Sequence, residues 1–201
     1  MSIFGPSHKE TWTKLSEEAK AEFVNGNIWN SHKVVKQEKA WTITLDTFAA
    51  HAGKATIPFT RFRAPFVSKD NFRFKIENRN FFSAIPDFFG RKNPNTGFPD
   101  FEKHFVISTK DEYKLQKLLA NKTIRELLMG QEDMEFEIKD DEGWLVSPKF
   151  PSDVDEVYFQ IAGVVKDVER LKLVFTLIAE VLNQLVEINS AYDRNPNITL
   201  K

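Results

Sequence analysis

Polar and apolar residues change period along the chain, and each change marks an element. Trp12, Leu15, Ala19 and Phe23 recur at helical spacing between a capping-box pair, Ser7 and Glu10, and the stop signal Asn25-Gly26, which predicts a helix over 7–24. A period of two then takes over. Residues 33–37 and 41–48 read as strands joined through Glu38-Lys39-Ala40, with Trp41, Ile43 and Leu45 on one side and Thr42, Thr44 and Asp46 on the other. Residues 55–63 and 72–78 are two further strands, and Pro58, which has no N–H for a ladder, predicts an edge position. Over 80–99 neither period holds and chain breakers accumulate, as expected of a loop.

The strand-rich core is expected over 33–164, with a helical insertion at 110–129. A strand over 104–107 leads into a second capping box, Thr109 with Glu112, and Asn121 and Gly130 punctuate two short helices. Met134, Phe136 and Ile138 alternate with Glu135, Glu137 and Lys139, and turn residues after Asp140 predict a hairpin returning at 144–146. Val157, Phe159 and Ile161 form the last strand. A helix is predicted over 166–189, where the apolar residues from Val168 to Ile188 cover an arc of roughly 200°. So wide a stripe needs two partners: the sheet, and either the first helix or a second copy of the chain in a homodimer. The first helix is favoured because it has an apolar face of its own to bury. The expected fold is a single α+β domain over 1–201, with mainly antiparallel sheet, a flanking N-terminal helix and a long C-terminal helix packed on the sheet. A barrel capped by that helix is the alternative.

Composition excludes more than it names. With 41% hydrophobic and 28% charged residues the chain reads as a soluble protein. Basic and acidic residues, 28 and 29, nearly cancel, so no bulk field attracts nucleic acid or membrane, and a charged partner must be met by a local patch. The absence of cysteine excludes disulfides, thiolate metal sites and cysteine nucleophiles. No apolar run approaches the roughly 20 residues of a membrane-spanning helix, and the start lacks a signal-peptide pattern, so a cytoplasmic location is expected.

The runs Trp41-Thr-Ile-Thr-Leu-Asp-Thr47, Thr60-Arg-Phe-Arg-Ala-Pro-Phe66, Asp140-Asp-Glu-Gly-Trp144 and Gly163-Val-Val-Lys-Asp-Val-Glu-Arg-Leu171 together resemble a bacterial family of uncharacterised soluble proteins. From about Phe98 onward the chain is also similar to a larger bacterial domain family of unknown function. Neither resemblance implies an activity, so no site residue is carried over from it.

The candidate chemistry is therefore local. Arg61 and Arg63 share one parity, and Arg73, Lys75 and Arg79 share another opposite Phe72, Phe74 and Ile76. If those strands pair, the cations form a face suited to phosphate or carboxylate on a small ligand or a partner protein, because guanidinium forks bind such groups bidentately. The bland alternative is a solvated face on which Asp46, Glu77 and neighbouring acids neutralise the arginines. Nucleic-acid stacking is disfavoured, since alternation sends the Phe rings inward. Phe81, Phe82, Phe88 and Phe89, flanked by Arg79, Arg91 and Lys92, form a candidate interaction loop for a partner or a peripheral membrane contact; the alternative is a plug over the core.

No metal or cofactor is expected. The acids at 140–142 and 153–156 match no calcium-loop spacing, no two histidines have helical i, i+4 spacing, and no glycine-rich phosphate loop or nucleophile elbow occurs. A non-catalytic binding module is the favoured function and no catalytic residue is assigned. A hydrolytic or transferase enzyme built from scattered acids and histidines, with His104 beside Asp100 and Glu102 as base, is one alternative. A homo-oligomeric subunit using the wide helix face is the other.

Overall fold

The computed structural model describes residues 7–27, 31–52, 55–79, 94–140 and 150–200, with backbone alone at 51, 52 and 55. Helix α1 (His8–Ala19) starts on the expected capping box, the Ser7 Oγ accepting the Glu10 N–H and the Glu10 carboxylate accepting the Ser7 N–H at 2.8 Å. It ends before the predicted boundary because Lys20 turns left-handed, φ 53°, and its N–H closes on the Ser16 carbonyl. Phe23 consequently lies in a short strand, β1 (Glu22–Val24).

Strands β2 (Lys33–Glu38), β3 (Trp41–Ala52) and β4 (Ala55–Val67) follow as an antiparallel meander, the last two longer than expected. After β5 (Phe74–Asn78) come α2 (Pro99–His104), β6 (Phe105–Thr109), α3 (Glu112–Leu119), α4 (Lys122–Met129), β7 (Met134–Lys139), β8 (Val154–Ala162) and α5 (Val168–Glu187). The cap of α3 is Asp111, whose carboxylate accepts the Lys114 N–H; Thr109 still belongs to β6 and donates its hydroxyl to the Arg73 carbonyl. The predicted return at 144–146, like Phe81, Phe82, Phe88 and Phe89, lies outside the described residues.

The eight strands among the described residues form one antiparallel sheet in the order β1-β2-β3-β4-β8-β7-β5-β6. β4 and β5 are therefore not neighbours: β8 and β7 come between them. Pro58 is in an interior strand, yet its position obeys the missing N–H. It pairs with Ala49 of β3, β8 reaches β4 only from Thr60 onward, and on the other side the Pro58 carbonyl accepts the Gly163 N–H.

One face of the sheet holds the core. Phe74, Phe136, Phe159 and Phe62 form a row of ring contacts across β5, β7, β8 and β4, and Phe175 of α5 meets Phe62 edge-on at 5.0 Å. Leu171, Val174, Leu177, Ile178, Val181, Leu182 and Leu185 of α5 are all buried. The wide apolar arc is closed within the chain by β4, α1, α3 and α4. Trp12 ties α1 to the approach of α5, its indole N–H donating to the Val165 carbonyl at 3.2 Å. No helix among the described residues is long and apolar enough to cross a membrane.

Candidate functional site

The opposite face of the sheet carries the charged chemistry, because each strand that sends apolar residues to the core sends polar ones the other way. β3 contributes Thr44 and Asp46, β4 Arg61 and Arg63, β8 Glu156, Tyr158 and Gln160, β7 Glu135, Glu137 and Lys139, and β5 Lys75 and Glu77. Register places Asp46 opposite Arg61, Tyr158 between Arg63 and Glu137, and Gln160 between Arg61 and Glu135.

Arg61 donates from Nε to the Asp46 carboxylate at 2.5 Å and from one Nη to its other oxygen at 3.2 Å; Arg63 reaches that second oxygen at 2.8 Å. Lys75 sits between Glu135 at 3.0 Å and Glu77 at 3.2 Å. A hydrogen-bonded relay crosses the middle. The Tyr158 hydroxyl donates to the Gln160 side-chain carbonyl at 2.9 Å, and the Gln160 amide donates to Glu135 at 3.2 Å. The Lys139 ammonium lies over the Tyr158 ring, 3.2 Å from its centroid.

The expectation of a cationic face open to water is corrected by this geometry. Arg63 is 1% exposed and Lys75 5%, and their neighbours Asp46, Glu135 and Glu156 are buried with them. Neutralisation follows from strand order: β3 sets Asp46 beside the arginines of β4, and β7 sets Glu135 beside the lysine of β5. Burial opposes the charge on both Arg61 and Lys75, but the contacts with Asp46 and Glu135 outweigh it and hold both pKa values above their ordinary ranges. Burial drives the Tyr158 phenol far above the ordinary tyrosine range.

Arg73 and Arg79 stand off this face. Arg73 precedes β5 and pairs with Asp155 at 2.6 Å and Asp140 at 3.1 Å, which accounts for one member of each acidic cluster. Burial raises the Asp155 carboxyl pKa despite that contact and the Ser68 hydroxyl. Arg79 is exposed and closes the end of α2, donating to the carbonyls of Lys103 and Glu102 at 2.8 Å each. Phe72 and Phe74 are in the core, so the Phe-Arg-Phe-Lys run offers no stacking platform. His104 meets the backbone carbonyl of Asp100, whose carboxylate pairs with Lys103, while Glu102 accepts from Thr96; the three do not form a base and its orienter.

Glu135, Tyr158 and Gln160 were absent from the residues singled out by sequence, and Glu156 entered only as a member of the acidic cluster at 153–156 weighed for calcium. Their alternation with Phe136, Val157, Phe159 and Ile161 assigned them a face, but alternation carries no information about whether that face meets water. Compared with protein-family models, with curated proteins and with solved structures, the chain matches none.

Proposed function

We propose that the chain is a non-catalytic binding or interaction module whose polar sheet face takes an anionic ligand or partner at Arg61. The supporting observation is that Arg61 and Arg63 converge on one carboxylate, Asp46. Arg61 is the more accessible of the two, its side chain 17% exposed against 1% for Arg63. Asp46 occupies the Nε edge of Arg61, while the remaining Nη nitrogen makes no hydrogen bond among the described residues. The end of the fork is the edge a phosphate or carboxylate would take, and the Phe48 ring, 5.1 Å from the guanidinium carbon, supports its plane.

Calorimetric titration with inorganic phosphate and with citrate, at low and high salt, tests this reading. The unmodified chain should bind more weakly as salt rises, and Arg61→Gln should lose binding at least tenfold when both proteins are titrated at a temperature where circular dichroism shows them folded. Equal binding by both proteins, or no salt dependence, would remove the anion role from Arg61.

A further inference from the structure

Two imidazoles join the start of α1 to the connection between β1 and β2. The rings of His8 and His32 lie 5.4 Å apart. His32 also packs on Phe23 of β1 at 5.5 Å, and His8 meets Trp12 edge-on at 5.7 Å. The Nδ1 atom of His32 accepts the backbone N–H of Gly26 at 2.9 Å. A ring nitrogen that accepts carries no proton, so His32 is neutral in this arrangement.

We propose that His8 and His32 form an acid-operated clasp: neutral rings hold the β1–β2 hairpin against the start of α1, and protonation releases it. A proton on His32 Nδ1 would point at the Gly26 N–H, replacing a hydrogen bond with two opposed donors. A proton on His8 as well would set like charges in ring contact. The charged groups acting on His8 offer no relief: they are His32 from the hairpin and Lys166 from the segment ahead of α5. On α1 itself Glu10 is engaged with the Ser7 N–H, and Lys33, which follows His32, donates to the Leu200 carbonyl. Burial first, then His32 and Lys166, hold His8 below its ordinary value of 6.5.

The sign follows from linkage. A base whose pKa is depressed by folding binds fewer protons folded than unfolded, so its contribution is complete above 6.5 and lost as pH falls below that value. The effect falls on the three residues of β1, which occupy the edge of the sheet and pair with β2.

NMR titration of the full chain between pH 7.5 and 5.0 tests the clasp through the imidazole resonances, the Gly26 amide and the amides of 22–24. The Gly26 amide should shift over this range, and 22–24 should become mobile while the amides of β3, β4 and β8 stay ordered. In His32→Gln the His8 midpoint should move up toward 6.5, since a coupled cation is gone. Should that variant disturb the hairpin at neutral pH, His8→Gln, at a partly exposed helix start, serves instead and should displace release to lower pH. Amides at 22–26 that do not respond to acid, a His8 midpoint unchanged by His32→Gln, or a release pH unchanged by His8→Gln would each overturn the proposal.

Discussion

Arg63 carries a full charge at 1% exposure, 2.8 Å from a carboxylate that is itself buried. An ion pair in such surroundings adds little net stability, because desolvation offsets the attraction, but removing one partner strands the other. Arg63→Ala is therefore expected to cost about 3–5 kcal/mol in urea unfolding. Lysine should restore only part of the loss, since a point charge does not reproduce the fork. Arg79→Ala, which removes donors from the exposed end of α2, should cost no more than about 1 kcal/mol. Equal losses at the two sites would contradict the burial on which this distinction rests. From sequence the two arginines look alike, each a cation on a polar parity. Their difference arises from what lies across the strand and over it, and neither is encoded in the spacing of neighbours.

Helix α5 shows the opposite balance. Its apolar arc, and the need for more than one partner to cover it, were readable from the 3.6 period alone. Burial along it then sorts neighbouring leucines that look equivalent: Leu177 is fully buried, whereas Leu173 is 48% exposed. Leu177→Ala should cost about 2–5 kcal/mol and Leu173→Ala within about 0.5 kcal/mol, both from denaturant midpoints at unchanged slope. A large loss at Leu173 instead would show that a second body covers this side of the helix. Boundaries were less legible than faces. Phe23 fits the helical period of α1, yet the chain had already left the helix through the left-handed Lys20, and pairing with Val34 draws Phe23 into the sheet.

Over the molecule as a whole, β8 is the strand that closes the sheet, pairing with β4 on one side and β7 on the other. Thr60 meets Ile161 in that register, a contact between distant parts of the chain. Loop closure on this scale precedes most of the cross-strand gain, so refolding is expected on the order of milliseconds to seconds rather than microseconds. Stopped-flow fluorescence should show Val157→Ala unfolding faster, with the folding limb slowed only if β8 docks before the rate-limiting step. The ionic ladder bears on this assembly. A one-residue slip of β8 would drive Glu156, Tyr158 and Gln160 into the aromatic row, so the polar face enforces register whether or not it also binds a ligand.

Local spacing was sufficient to establish the α+β class, the antiparallel strands, the two flanking helices and which side chains share a face. These follow from periods of 2.0 and 3.6, set by backbone geometry within a few residues. Strand order, the closure of the α5 arc inside the chain and the burial of the charged face depend on contacts between distant segments. Arg61 and Arg63 find Asp46 across the β3–β4 hairpin, whereas Lys75 meets Glu135 only because β7 lies beside β5, Arg73 meets Asp155 at the start of β8, and Arg79 caps α2: a side chain's charge environment is set by its neighbours in space.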